Sequence, residues 1–394
     1  MKKLIIEAID KARAELIELS LKIHGTPELG FQEHKAAAWI VEFLTKRGFA
    51  METGVAGLPT AFKGKRVFGK GGPVVGFLAE YDALPEIGHA CGHNLIGMMS
   101  VGAAVGLAEA MEQSGLDGTV VLLGTPAEEG EGGKINMLNE GVFDDVEYSL
   151  MIHPAGSNIV NRGSTACQHW NISFTGQNAH SSNPQNGVNA LTALIQTFNN
   201  IDHLRGLMPL SANINGIITQ GGTASNIITD KAKGEFTVRS KSLEDLMTTG
   251  EYILKAIKSA EVLIGATAEV KRDPFYAEMY ANRGINGSLK ANMAELGVTM
   301  DEAKEGKYGS SDIGNVSLKM PSIHSYLDIG GNCPGHTIEF TAASASDKGH
   351  DAAILGAKGL AMTGYDIFAD PALREKINKE FEETVPKYDL AKFK

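Results

Sequence analysis

The sequence predicts an α/β fold carrying an inserted α+β domain, and three observations point there. Near-continuous apolar runs at Val74–Ala79, Thr119–Leu123 and Tyr148–Ile152 suit strands covered on both faces, as in a mostly parallel sheet. Past Arg162 the pattern turns to alternation and amphipathic helices in the order β-α-β-β-α-β, a ferredoxin-like series. The chain then returns to helix, so the second pattern interrupts the first.

Each element has its own signal. Apolar residues at helical spacing, Ile6, Leu16, Leu19, Ile40 and Leu44, predict helix as far as Arg47, broken at Gly25-Thr26-Pro27. The small-residue stretch from Leu95 to Gln113 predicts a helix between the first two strands. In the insert, Trp170, Ile172 and Phe174 alternate, and a helix runs from Asn189 to Leu204. A strand over Ile214–Ile218, the alternating pair Phe236 and Val238, a helix over Leu243–Leu263 and a strand over Thr267–Lys271 complete it. A short apolar segment, Ile323–Ile329, and a closing helix, His350–Tyr365, belong to the outer domain. The expected boundaries are 1–163 and 278–394 for that domain and 164–277 for the insert.

Composition removes several function classes. The chain has 394 residues and a formal charge of −11. This acidic balance argues against nucleic-acid or anionic-membrane partners, which select clustered Lys and Arg. Three cysteines, Cys91, Cys167 and Cys333, form no disulfide framework, so a reducing cytoplasm is the simplest compartment. The N-terminus turns charged after three apolar residues, too soon for a signal-peptide core, and no long uninterrupted apolar run predicts a membrane span.

The chemistry lies in the segment after each strand. The first run ends in Glu80-Tyr81-Asp82, the second leads to Glu128-Glu129, and the third ends in His153-Pro154. Ligand chemistry gathers beyond the carboxyl ends of strands in open α/β sheets. Between the first strand and its helix lies His89-Ala90-Cys91-Gly92-His93-Asn94. Cys91 and His93 can point into one cleft as metal ligands, and a buried thiol beside a helix-start histidine accounts for the segment equally well. A Cys nucleophile activated by His is poorly served by a Cys-x-His turn. Adjacent acids are ordinarily a solvated turn, and that reading holds for Glu131. For Glu128-Glu129, one carboxylate can bind metal while its neighbour stays free as a general base. Cys91, His93, Glu129 and His153 already exceed the three protein ligands of a catalytic zinc, which favours two ions about 3.5–4 Å apart. Imidazole and thiolate donors favour zinc, manganese or cobalt over magnesium.

Together these segments, with Ala79-Glu80-Tyr81-Asp82-Ala83-Leu84-Pro85, Pro126-Ala127-Glu128-Glu129-Gly130 and Ile152-His153-Pro154, resemble the aminoacylase/carboxypeptidase G family of binuclear metallopeptidases, in its amidohydrolase branch. Asn94 departs from the acid found after Cys-Gly-His in much of that branch, and is similar to the p-aminobenzoyl-glutamate hydrolases and β-alanyl-lysine-type dipeptidases. The resemblance covers nearly the whole chain. It implies a zinc-exopeptidase-like catalytic domain with a lid and dimerisation insert, and a homodimer or higher homo-oligomer.

It also implies roles. Cys91, His93, Glu129 and His153 match metal ligands, Glu128 the general base and Asp82 the acid that orients a ligating side chain. A further ligand is required near the C-terminus. Among His324, His336 and His350, the segment Pro334-Gly335-His336-Thr337 selects His336. His180, in Phe174-Thr175-Gly176-Gln177-Asn178-Ala179-His180-Ser181-Ser182, matches a histidine that polarises the scissile carbonyl, although alone it reads as an exposed loop residue. Asn226 matches a substrate-contacting position. Arg239 suits a clamp on a substrate carboxylate or a solvent-facing strand position equally. His24 and Glu28 read as loop-fixing.

The expected activity is hydrolysis of an amide in N-acyl amino acids, aminobenzoyl-glutamate-like conjugates or short dipeptides, by a hydroxide bridging two divalent ions. A dinuclear aminopeptidase requiring a free amine is the nearest rival. A catalytically silent relative and a cysteine hydrolase are the remaining alternatives; the complete ligand set with Glu128 weighs against silence.

Overall fold

The computed structural model describes residues 1–304, 306, 308–330 and 333–388. They form two compact units: one of Met1–Gly163, Met279–Gly306 and Ser311–Lys387, and a second of Ser164–Glu278, to which Ser310 and Tyr388 also belong.

In the first unit the chain opens with α1 (Lys2–His24) and α2 (His34–Thr45), separated at the predicted Gly-Thr-Pro break. Glu28 accepts the backbone N–H groups of Lys35 and Ala36 at 2.9 and 3.0 Å, satisfying donors in the first turn of α2. The edge strands β1 (Ala50–Thr53) and β2 (Phe62–Phe68) come next, then β3 (Val74–Ala79), α3 (His93–Ser114), β4 (Gly118–Gly124), α4 (Gly133–Asn139), β5 (Tyr148–Ala155) and β6 (Ile159–Val160).

The second unit contributes β7 (Ala166–Thr175), β8 (Ala179–His180), α5 (Ala190–Leu204), β9 (Asn213–Gln220), β10 (Ile227–Ile228), β11 (Lys231–Ser240), α6 (Leu243–Ile264) and β12 (Thr267–Arg272). The chain returns to the first unit with α7 (Arg283–Glu295), β13 (Asp301–Glu302), α8 (Ile313–Ser317), β14 (Ser322–Asp328), α9 (Ile338–Ala343), α10 (Asp347–Ala369) and α11 (Pro371–Thr384).

The first unit's eight-stranded sheet has the order β1-β2-β4-β3-β5-β14-β6-β13. Its centre is parallel, β3 pairing with β4 and β5, and β14 with β5. Its β1–β2 margin is antiparallel, including the β2–β4 pairing. The expectation of a mostly parallel sheet therefore describes the centre, and the whole sheet is mixed. The margin escaped the sequence pattern because β2 reads Phe-Lys-Gly-Lys-Arg-Val-Phe, a polar run. Lys63 and Lys65 both pair with Asp145, so charge is accommodated on this strand without apolar alternation.

Helix α3 is buried continuously from His93 to Ala108 and packs with α1 and α10. By length and composition it is apolar enough to cross a membrane, yet its faces are covered by neighbouring elements of the unit. Its small residues explain the close approach: a Cβ on Gly106 would lie 2.6 Å from Ile9 Cγ1, inside contact distance.

The second unit is a four-stranded antiparallel sheet in the order β12-β7-β11-β9, with α5 and α6 packed against it. This is the ferredoxin-like arrangement expected from the β-α-β-β-α-β series. Trp170, Ile172, Phe174, Phe236 and Val238 are buried with Leu194, Ile201, Leu246, Ile253 and Ile257 of the helices. Asn189 and Ser242 cap α5 and α6 by accepting from the backbone N–H groups of Thr192 and Asp245.

Candidate metal centre

The parallel centre of the sheet brings the ends of β3 and β4 to one side, so residues 80–82 and the loop after Gly124 emerge together, with His153 near the end of β5. Gly92, with φ 76°, stands between Cys91 and His93 at the start of α3. A Cβ there would lie 2.5 Å from Pro154 Cγ. Glycine thus supplies both the left-handed backbone and the space that let Cys91 and His93 approach the β5 end.

The donor atoms converge. Cys91, His93 and His153 each offer an atom within 4.8 Å of the others, and so do Cys91, Glu129 and His336. A third group joins His93, Glu128 and Glu129. Cys91 belongs to two of these groups and lies 3.4 Å by Sγ from His153 Nε2. His336 Nε2 lies 3.6 Å from Glu129 Oε1. His336 has φ 64°, and its N–H donates to Ala90 O at 2.8 Å, which ties this exposed histidine to the Cys91 segment.

The orientation of each imidazole is set from behind. Asp82 Oδ1 accepts from His93 Nδ1 at 2.9 Å, and Asp82 Oδ2 accepts the Glu129 N–H at 3.0 Å. His153 Nδ1 donates to Pro154 O at 2.6 Å. Both rings therefore turn Nε2 toward the shared donors. His93 Nε2 and Glu129 Oε1 are buried and make no hydrogen bond among the described residues. Two orphaned polar atoms of this kind are costly unless a cation satisfies them. The thiolate, imidazole and carboxylate set fits zinc, manganese or cobalt.

The electrostatics result from burial. Burial pushes His153 down to about 4, which leaves a neutral imidazole able to ligate. It pushes the Cys91 thiol up, so a bound cation is what would draw out the thiolate. Burial also works against ionised Asp82, but the neighbouring His93 prevails and holds the carboxyl below its usual range. Glu128 is driven well above the usual carboxylate range by burial and by Glu80, Glu129 and Asp312 around it. A carboxyl raised in this way holds a proton more readily than an exposed one, which suits it to proton transfer.

Backbone anchors fix the loop that carries the two acids. Ala127, at φ 58°, donates its N–H to buried Glu33 Oε1 at 2.8 Å. Glu128 and Glu129 share a donor group with His93, and beyond it Glu129 groups with Cys91 and His336, and Glu128 with Glu80 and Asp312.

Of the alternative histidines, His324 on β14 stacks edgewise on His153 with centroids 5.5 Å apart, and its Nδ1 lies 3.3 Å from Tyr326 Oη. His350 is buried in the first turns of α10. Neither belongs to a donor group among the described residues.

In the second unit, His180 on β8 pairs with Ile227 on β10, and the Ser181 N–H donates to Asn226 O at 3.0 Å. The structure thus brings His180 and Asn226 together. His180 is exposed, with Nδ1 2.7 Å from Ser182 Oγ. Arg239 is elsewhere: it pairs with Cys167 near the far end of β11 and donates to Ser310 Oγ at 2.8 Å.

Sequence assigns no role to Glu33, Lys134 and Asp312, and marks Glu80 only as an ionisable group at a strand end. A lysine after Gly132-Gly133 and an acid after Ser310-Ser311 look like surface residues, and only the fold shows them buried.

Known proteins resemble this chain in sequence and in fold. Residues 163–262 match the model of the M20 peptidase dimerisation domain. A mouse Xaa-Arg dipeptidase is 34% identical over 97% of this chain and 92% of its own length. A p-aminobenzoyl-glutamate hydrolase polypeptide from Escherichia coli is 26% identical over 97% of this chain and 95% of its own. A solved Bacillus subtilis dinuclear metal-binding peptidase of the M20 family superposes with a TM-score of 0.64 at 23% identity, covering 88% of this chain and 98% of that one, a likeness of fold.

Proposed function

The chain belongs to the M20 peptidase family and is a hydrolase of peptide or amide bonds, and we propose that short dipeptides are its substrates, with N-acyl amino acids and aminobenzoyl-glutamate-like conjugates as the neighbouring class. The extensive similarity to a dipeptidase supports the first choice. The observation that carries the chemistry is the convergence of Cys91, His93, Glu129, His153 and His336, with two orphaned buried atoms among them.

These five side chains would hold two divalent ions. Bound there, zinc, manganese or cobalt would polarise the scissile carbonyl and acidify a water. Glu128 takes the proton from that water as its oxygen attacks the amide carbon, and passes it to the departing amine as the C–N bond breaks. Asp82 keeps His93 in the ligating tautomer. His180 donates to the carbonyl oxygen as it gains charge, and neighbouring Asn226 contacts the substrate. Arg239 is the candidate for a substrate carboxylate. The three free cysteines support a reducing, cytoplasmic setting.

The second unit supports a homodimer. It carries the dimerisation-domain match, β9 is an edge strand, and Ile217, Val262 and Leu263 are 57%, 76% and 67% exposed. Ile217→Lys combined with Ile218→Lys is expected to shift sedimentation from dimer to monomer; unchanged sedimentation removes β9 from the interface.

Metal content and a substrate panel test the activity together. The expected result is about two ions per chain and cleavage of dipeptides that is lost on chelation and restored by metal. Cleavage that persists after complete metal removal overturns the assignment, and strict dependence on a free amine selects the aminopeptidase instead.

A further inference from the structure

Among the described residues, four groups of donors in the first unit have the geometry to hold a cation, and three of them make up the centre described above. The fourth consists of Glu80, Glu128 and Asp312, all buried. A cation already sits in it. Lys134 Nζ lies 2.6 Å from Glu80 Oε1 and 2.6 Å from Asp312 Oδ1, and none of the lysine side chain is exposed.

We infer that Lys134 is a built-in counter-cation, whose ammonium fills a carboxylate cluster that would otherwise take a further divalent ion and holds Glu80 and Asp312 in place beside Glu128. This rests on the reading of the neighbouring residues as a binuclear metal centre.

Three features support it. First, a buried ammonium is tolerated only with close partners. Burial works against the charge, but Asp312 and Glu80 outweigh it and push the lysine up, so it stays protonated. Second, Glu80 faces both ways: Oε1 binds Lys134, while Oε2 lies 3.5 Å from His93 Nε2. Without the ammonium, this carboxylate would be free to swing between the metal donors and the fourth cluster. Third, Asp312 grips Lys134 twice, accepting from Nζ with Oδ1 and from the backbone N–H with Oδ2 at 3.0 Å. Lys134 stands at the start of α4, where the loop bearing Glu128 and Glu129 ends. The same pair therefore anchors the far end of that loop, opposite the Glu33 contact at Ala127.

A lysine suits this place better than a metal. It brings one charge where a divalent ion brings two, it needs no water ligands, and it is covalently tied to the loop it steadies. Lys134 touches none of the reacting atoms and is a positioning residue.

The test equilibrates purified wild type and Lys134→Ala with excess Co2+, removes unbound metal and measures cobalt per chain, with steady-state kinetics in parallel. The alanine opens space among the three carboxylates. The expected gain is about one cobalt per chain over wild type, with kcat down at least ~30-fold and KM changed less than ~3-fold. A wild-type count near two with no gain in the variant overturns this inference alone, whatever happens to turnover. A wild-type count of zero overturns the metal centre and this inference with it. If Lys134→Ala does not accumulate folded, Lys134→Ala combined with Glu80→Gln is measured. Recovery of folded protein on neutralising one carboxylate supports the counter-cation, and failure to recover overturns it.

Discussion

Glu128 and Glu129 are neighbours in sequence with different proposed tasks, and their surroundings differ. Glu129 is anchored through its backbone to Asp82 and groups with Cys91 and His336, while burial and three other carboxyl groups raise the Glu128 carboxyl well above its usual range. Glu128→Gln is therefore expected to keep its metal and lose about 10²–10⁴-fold in kcat. Retained turnover removes the assigned base. Glu33 offers a pH test that is independent of catalysis. Burial and nearby Asp82 raise its carboxyl to about 7 from an ordinary 4.5. A carboxyl raised on folding adds stability that is full below 4.5 and is lost as pH rises through about 7. Glutamine keeps an acceptor for the Ala127 N–H and cannot ionise. The melting temperature of Glu33→Gln relative to wild type should accordingly climb between about pH 5 and pH 8, by an amount on the order of 3 kcal/mol in stability. A flat difference across that range contradicts the buried, titrating carboxyl.

Elements matter here by what their ends deliver. Strands β3 and β4, parallel and adjacent, place two acidic loops side by side, and α3 begins at His93, a candidate ligand. The junction depends on Gly92. Alanine at φ 76°, with its Cβ 2.5 Å from Pro154 Cγ, would displace either the Cys91 turn or the residue after His153. Gly92→Ala is expected to cost about 1–3 kcal/mol in stability and to weaken metal binding at least ~10-fold, read by thermal melting and by competition with a chromogenic chelator. Undiminished affinity shows that the two ligand segments adjust independently.

For the whole molecule, the proposed centre links metal to fold, because its candidate ligands come from segments far apart in the chain, from Cys91 to His336. A cation binding only the folded state stabilises it by about 2.7 kcal/mol at one hundred times its dissociation constant. Chelation should therefore lower the melting temperature as well as abolish hydrolysis. Zinc, manganese or cobalt should restore both, and magnesium neither. A melting temperature indifferent to chelation places the ions outside the folded core.

The sequence alone determined the fold class and which histidines, acids and thiol are candidates for metal chemistry. Apolar runs report burial directly, and the Cys-Gly-His and Glu-Glu segments carry their chemistry in a few adjacent residues. It left Cys91 and His93 balanced between ligands and an ordinary buried pair. It assigned no role to the lysine and acids behind Glu128, and showed no sign of the polar margin strand β2. Only the tertiary structure shows how these residues are placed: Cys91 and His93 fall in one donor group with His153, and the lysine and acids behind Glu128 are buried. Whether Lys134 is a solvated side chain or a buried counter-charge depends on Glu80 and Asp312, which are 54 and 178 residues away along the chain. Whether a donor is orphaned depends on everything that excludes water around it, and local sequence carries no record of that.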